Sequence, residues 1–295
     1  MSRRLAHVDR VGIEERAAQL GTRSIKAGAK QHGIRLAISM LDLTTLEGAD
    51  TAGKVRQLCA KGVCPAPGFP EIPSVAAICV YPSLVAVACA ALEGTGVRTA
   101  SVAAGFPAGQ VSLEAKLRDT EDAVAAGAEE IDMVISREAF LAGDDTRVMR
   151  EVALIREASA DALLKVILET AELGSYDHVR HASMLAMQAG ADFIKTSTGK
   201  AASGATPGVC LVMLEAIRDH VERSGRIVGF KAAGGVSSSK AALHRLVLVK
   251  ETLGDEWLTP ERIRIGASSV LGDLLLQYAK TETGRYGAAE DFSRE

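Results

Sequence analysis

Short runs of apolar, β-favouring residues alternate along this chain with longer stretches whose apolar positions recur at helical spacing. The runs that read as strands are Leu36–Leu43, Val75–Val80, Val97–Ala103, Glu130–Ile135, Leu163–Leu168, Asp192–Lys195, Arg226–Phe230 and Arg262–Ile265. Helical spacing covers about Thr51–Cys59, Leu84–Leu92, Ser112–Ala126, Thr146–Ala158, Tyr176–Gln188, Pro207–Ser224 and Ser237–Leu253, with a last helix over Ser268–Lys280. Ser112 is placed to cap its helix, and Pro207 suits a first helical position, where its missing N–H has no partner to lose. Before the first strand, residues 1–35 read as a polar helical extension with Ile13, Ala17, Leu20 and Ile25 as its apolar positions, and residues 283–295 read as a polar tail.

Eight β-then-α units joined by short connections, with no linker-like break in composition, argue for parallel strands flanked by helices. Eight such units in one domain over residues 36–282 predict a single α/β domain of the (β/α)8 TIM-barrel type, preceded by the N-terminal helical extension. The competing architecture is a doubly wound open sheet, which usually carries a Gly-rich turn after its first strand. Here that strand ends in Asp42-Leu43-Thr44-Thr45 instead. The segment at Gly199-Lys200 is no P-loop either, because Ile194 stands where the first glycine belongs.

Composition narrows the classes of function. At 47% hydrophobic and 24% charged residues with a formal net charge of −3, nothing favours nucleic acid or an anionic membrane as partner. Five cysteines without CxxC spacing point to reduced thiols in the cytoplasm rather than a disulfide framework. Six scattered histidines form no zinc motif. Ile72–Leu92 lacks any charge and is long enough to span a bilayer, but Tyr81-Pro82 interrupts it, so a buried strand followed by a buried helix is expected there.

In a (β/α)8 barrel the active site lies at the C-terminal ends of the strands. This reading brings Asp42 and Thr44, Cys79, Asp132, Lys165, Lys195 and Lys231 to that end. Lys195 and Lys231 fall on adjacent strands; two ammonium groups in one cavity repel, so one sheds its proton more easily and becomes a nucleophile toward carbonyls. Asp132 is placed to pass protons through a water. Gly199, Gly234-Gly235 and Ser268-Ser269 offer unobstructed backbone N–H groups where barrels often bind phosphate. Plainer roles exist for each: glycine pairs make turns, serines cap helices, Lys165 could be a structural partner beneath the site, and Cys79 a small buried residue. Convergence on one face favours a phosphorylated carbonyl compound beside a reactive lysine.

Several blocks, in order, resemble the deoxyribose-phosphate aldolase family of class I aldolases. They are Leu41-Asp42-Leu43-Thr44-Thr45-Leu46, Ile78-Cys79-Val80-Tyr81-Pro82, Glu130-Ile131-Asp132, Asp192 through Gly199, Gly229 through Gly235, and Ile265-Gly266-Ala267-Ser268-Ser269. The segment Ser101–Gln110 and the tail Thr283-Gly284-Arg285-Tyr286 are more similar to the longer, animal-type branch. The resemblance implies cleavage of 2-deoxy-D-ribose 5-phosphate to D-glyceraldehyde 3-phosphate and acetaldehyde, in deoxyribonucleoside catabolism. It implies Lys195 as the Schiff-base lysine, Lys231 as the second lysine that keeps it deprotonated, and Asp132 as the proton-transfer residue. Gly199, Gly234, Gly235, Ser268 and Ser269 would contact phosphate, with Asp42, Cys79 and Lys165 also assigned to the substrate site. No metal or organic cofactor is implied, since the protonated imine is the electron sink. Members are often dimers or larger homo-oligomers, but no interface is legible. Two departures stand out: Ala232 follows Lys231 where many relatives have proline, and the C-terminal tyrosine of short bacterial members has only Tyr286 as its nearest counterpart. Two other functions compete, a Schiff-base enzyme acting on a different sugar phosphate, such as a transaldolase, and a barrel that only binds a phosphosugar.

Overall fold

Each apolar run becomes a parallel strand, and the eight strands close on themselves in sequence order. The computed structural model describes residues 6–201, 204–285, 287, 288 and 292. The strands are β1 (Leu41–Thr44), β2 (Ala77–Val80), β3 (Arg98–Ala103), β4 (Glu130–Val134), β5 (Leu163–Ile167), β6 (Phe193–Lys195), β7 (Gly229–Ala233) and β8 (Ile263–Ala267), with β8 pairing back onto β1. Among the described residues the α-helices are α1 (Arg10–Gly21), α2 (Ala27–Ser39), α3 (Ala52–Val63), α4 (Val85–Leu92), α5 (Leu113–Ala125), α6 (Arg137–Leu141), α7 (Asp145–Ala158), α8 (Tyr176–Gln188), α9 (Pro207–Ser224), α10 (Ser239–Leu253) and α11 (Val270–Thr283). The expected (β/α)8 TIM barrel is therefore present.

Period-two alternation sorts the strand residues. Leu41, Leu43, Ile78, Val80, Ile131, Met133, Leu164, Val166, Ile194, Phe230 and Ile265 belong to one apolar cluster, between the outer face of the sheet and the helices. Fully burying each such side chain contributes about 1.5–3 kcal/mol. Their neighbours in the strands face the barrel interior. On β2 and β3 that interior is small and apolar, Ala77, Cys79, Ala100 and Val102. On β1 and β4 to β8 it is largely charged. Helix starts are fixed by side-chain caps: Thr51, Ser112, Asp144, Ser175, Thr206 and Ser238 each accept a backbone N–H from the first turn. Each cap contributes about 1 kcal/mol.

Three local expectations shift. Residues 36–39 belong to α2, whose Ile34 and Ile38 are fully buried, so β1 is shorter than its apolar run suggests. β7 runs three residues later than expected: Ile227 is 49% exposed, whereas Lys231, Ala232 and Ala233 pair with β8. Ala232 is therefore a ladder residue of β7, paired with Ile265. α6 gave no signal of its own. The uncharged stretch at 72–92 holds β2, a short 3-10 turn over Pro82–Leu84 and α4, and among the described residues no helix is long and apolar enough to cross a membrane. In the N-terminal extension, Ile13, Ala17 and Leu20 are buried, α1 packs on α9 and α10, and α2 packs on α10 and α11. Tyr286 lies outside the described residues.

Candidate active site

Register places the charged residues before any side chain is considered. Lys195 and Lys231 are direct partners on β6 and β7, Asp132 is opposite Lys165 on β4 and β5, and Lys231 is opposite Arg264 on β8. Their side chains converge inside the barrel. Asp132 Oδ2 accepts from Lys195 Nζ at 2.7 Å and from Lys231 Nζ at 2.8 Å, while its Oδ1 accepts from Lys165 Nζ at 2.9 Å. Lys231 Nζ also meets Asp42 Oδ2 at 2.5 Å, an ion pair whose angles fall short of a hydrogen bond. Beneath them Arg264 donates to Asp42 Oδ1 at 2.7 Å and to both oxygens of Glu130. Lys165 Nζ closes the network onto Glu130 Oε2 at 2.5 Å.

Burying so many charges is tolerable only if they cancel. Asp42, Glu130 and Asp132 oppose Lys165, Lys195, Lys231 and Arg264, so three carboxylates face four bases. Arg98 also approaches Glu130, at 3.7 Å, but from the half-exposed side where water screens it. The enclosed set balances if one base is neutral, and the surroundings single out Lys195. Burial pushes its amine below the usual lysine range; Asp132 opposes that shift and the Lys231 ammonium adds to it. For Lys231 burial acts in the same direction, but Asp132 and Asp42 together outweigh it and hold the ammonium above the usual range. Lys165 is raised as well, with Asp132, Glu130 and Asp42 prevailing over burial. Burial alone would raise Asp132, yet its three lysine neighbours hold it well below the usual carboxylate range. Asp132 is thus a carboxylate at neutral pH, suited to accept protons and orient donors.

Of these four bases only Lys195 lines a cavity at the mouth of the barrel. It shares this cavity of about 250 Å³, at the C-terminal mouth, with Thr198, Gly199 and Lys200 after β6, Gly234 to Ser237 after β7, Gly266 and Ala267 at the end of β8, and Ser268 and Ser269 after it. Thr44, Thr45, Leu46, Glu47 and Lys54 form the facing wall. Gly199, Gly234 and Gly235 have φ of +80°, +81° and +92°, a region that side chains other than glycine rarely occupy. A Cβ on Gly234 would also lie 2.3 Å from Ser197 Oγ. Ser268 and Ser269 are exposed just ahead of α11, and Ser269 makes no capping bond. That leaves a helix N-terminus opening into the cavity, favourable for an anion. Gly199 N–H donates within its own loop to Ser197 Oγ at 3.2 Å.

The residues singled out from sequence therefore occupy two levels. Lys195, Gly199, Gly234, Gly235, Ser268 and Ser269 line the cavity. Asp132, Lys231, Asp42, Lys165 and Cys79 lie fully buried under it. Burial and the Asp132 charge push the Cys79 thiol up to about 11, so it stays protonated. Sequence reasoning did not single out Glu130 and Arg264, although alternation carried the signal: Glu130 is two residues from Asp132, and Arg264 stands between Ile263 and Ile265. It also passed over Lys54, Lys200 and Glu47. Among the described residues no cluster of His, Cys, Asp and Glu is arranged to hold a metal ion; the interior carboxylates are already engaged by lysine and arginine.

The chain matches the DeoC/LacD family aldolase pattern over residues 36–273. It is 45% identical to the deoxyribose-phosphate aldolase of Mus musculus, covering 96% of this chain and 93% of that one. With the Homo sapiens deoxyribose-phosphate aldolase it shares 44% identity over 96% of this chain and 93% of that one. Among solved structures, the tetrameric deoxyribose phosphate aldolase of Aeropyrum pernix superposes with a TM-score of 0.66 at 26% identity, over 88% of this chain and 95% of that one.

Proposed function

The chain belongs to the DeoC/LacD family of aldolases, and from that premise we propose which of its residues carry the reaction. The activity is that of a deoxyribose-phosphate aldolase, a class I aldolase and lyase of deoxyribonucleoside breakdown. It cleaves 2-deoxy-D-ribose 5-phosphate reversibly to D-glyceraldehyde 3-phosphate and acetaldehyde through a lysine Schiff base.

Lys195 is the nucleophile. Its neutral amine adds to the C1 aldehyde of the open-chain sugar, and loss of water leaves an iminium. Removal of the C3 hydroxyl proton then breaks the C2–C3 bond; the electron pair flows into the iminium and gives an enamine. The three-carbon aldehyde phosphate departs, C2 takes up a proton, and water hydrolyses the imine to release acetaldehyde. Asp132, an anion within hydrogen-bond reach of Lys195, is the group that accepts and returns protons, through a water where the distance requires it. Lys231 stays charged and holds Lys195 neutral. The phosphate lies at the other end of the cavity against Gly199, Gly234-Gly235 and Ser268-Ser269. Asp42, Lys165 and Cys79 act from beneath, Asp42 and Lys165 by fixing the charges of the floor and Cys79 by filling the apolar wall.

The observation that carries this assignment is the Lys195 amine, opening into the cavity from a buried cluster that balances only if one base is neutral. Borohydride reduction in the presence of acetaldehyde, followed by peptide mass mapping, tests it. A reduced two-carbon adduct on Lys195, absent from Lys195→Met, is expected. An adduct on Lys231 would exchange the two lysine roles, and none at all in folded protein would remove the imine mechanism.

The tetrameric Aeropyrum pernix relative supports a homo-oligomer here. Five unpaired cysteines suit a reducing cytoplasm.

A further inference from the structure

Just beyond β5, Glu169 adopts φ 54° and ψ 59°, the left-handed region that residues with side chains avoid. It is nevertheless fully buried. Its Oε2 accepts the backbone N–H of Thr198 at 3.2 Å and the Thr198 hydroxyl proton. Thr198 Oγ1 in turn accepts Lys200 N–H at 3.1 Å. One carboxylate oxygen therefore sets the conformation of Thr198-Gly199-Lys200, all three of which line the cavity. The next residue binds the same loop twice, through Thr170 N–H to Thr196 O at 2.9 Å and Thr170 Oγ1 to Gly204 O at 2.8 Å.

Glu169 is held from the far side as well. Arg137 Nη1 stands 3.7 Å from its Oε2 and 2.9 Å from Glu172 Oε2. The other terminal nitrogen, Nη2, donates to Pro107 O at 3.1 Å and Ala108 O at 2.9 Å. Glu169, just after β5, is thus bonded to the loop after β6 and linked through Arg137 of α6 to the loop after β3, while it touches none of the reacting groups. Asparagine or glycine would satisfy the backbone better, but neither could reach Thr198.

We propose that Glu169 is a positioning residue for the phosphate end of the site, holding the Thr198–Lys200 loop in the form that receives the anion. The proposal rests on the aldolase reading above. It sets affinity for the phosphorylated sugar and leaves imine formation at Lys195 alone.

The experiment compares Glu169→Gln, which keeps length and acceptor, with Glu169→Asn, which tolerates the left-handed backbone but is one methylene short. Steady-state kinetics on 2-deoxyribose 5-phosphate and on unphosphorylated 2-deoxyribose give the readout. Glu169→Asn is expected to raise KM for the phosphorylated sugar about tenfold with kcat within about threefold. Its turnover of the unphosphorylated sugar should match wild type, and Glu169→Gln should stay within about threefold of wild type on both. A kcat loss shared by both sugars, or a glutamine variant as impaired as the asparagine one, overturns the proposal. If Glu169→Asn does not fold, Thr198→Val removes the hydroxyl bond to Glu169 and the Thr198 Oγ1 acceptor of Lys200 N–H, and must raise the same KM; an unchanged KM overturns the proposal. Acetaldehyde trapping on wild-type Lys195 is the control that fails only if the aldolase reading fails.

Discussion

The two ends of the active-site cavity are built on opposite principles. The floor is made of charged side chains that are almost wholly buried, each held by at least one partner of opposite sign. The rim proposed to receive the phosphate is made of glycines, serines and backbone amides, and its charged residues, Lys54, Lys200 and Glu47, lie partly in water. A floor that must keep one lysine neutral beside a charged one needs low dielectric and fixed distances, because only there do burial and neighbouring charges outweigh hydration. A rim that must admit and release a phosphate needs donors already in place and exposed, and backbone N–H groups at a helix end supply them without side-chain entropy. Substitutions in the floor should therefore appear in kcat and its pH dependence, and those in the rim in KM.

The largest effect is expected from Lys231→Met. Without that ammonium the floor holds Asp42, Glu130 and Asp132 against Lys165 and Arg264, and Lys195 becomes the remaining counter-charge. On the proposed assignment, activity requires Lys195 without its proton; Lys231 is one of the causes that lower the Lys195 pKa, so removing it raises that pKa. The ascending limb of kcat/KM against pH moves to higher pH, and kcat at neutral pH falls about 10²- to 10⁴-fold. Stability falls too, but by less than the cost of an uncompensated buried charge, about 3–5 kcal/mol, because Lys195 takes over the pairing. A pH profile of the variant, with thermal unfolding alongside, checks both. A limb that stays in place would mean that burial alone controls Lys195, and the charge-balance account of the floor would be lost.

A smaller effect is expected where the two levels meet. Gly266 lines the cavity, and a Cβ there would come within 2.9 Å of Lys231 Cε and 3.0 Å of Ala233 Cβ. Gly266→Ala therefore presses on the lysine stem from the rim side. Overpacking of this kind costs about 1–3 kcal/mol, and a small displacement of Lys231 should lower kcat about tenfold with KM little changed. Kinetics showing the loss in KM alone would assign Gly266 to the rim and sharpen the boundary between the two regions.

Which parts were legible from sequence follows from the same division. Lys195 and Lys231 stood out because each ends an apolar run at a strand tip, and β-strand geometry leaves little choice about where such a residue points. Arg264 and Glu130 obey the same alternation and could have been read from it. The limits of β7 are not legible because Ile227-Val228 has strong β propensity, yet the preceding Arg226 guanidinium is used to hold the carbonyls of Met187, Gly190 and Ala191 ahead of the strand. The role of Glu169 could not be read at all. It depends on a left-handed turn and on loops after three different strands meeting, and no local periodicity encodes that.

The smallest effect, at the outermost part of the rim, is the most discriminating test of the comparison. Among the described residues Glu47 is the one acidic residue lining the cavity, and its Oε1 lies 2.6 Å from Lys200 Nζ. The pair is open to water, with the side chains 66% and 31% exposed, so its own strength is at most about 1 kcal/mol. Glu47 nonetheless acts twice against an incoming phosphate, by occupying Lys200 and by repelling the anion. Glu47→Gln removes both effects without disturbing the floor. KM for 2-deoxyribose 5-phosphate should fall about two- to threefold at low ionic strength, and the gain should fade as salt screens the exposed charges. Unphosphorylated 2-deoxyribose should show no change, and kcat should hold for both sugars. Salt-dependent kinetics on the two substrates would measure this. A change in kcat would show that charge at the rim reaches Lys195 across the cavity, and the two ends could then no longer be treated as independent devices.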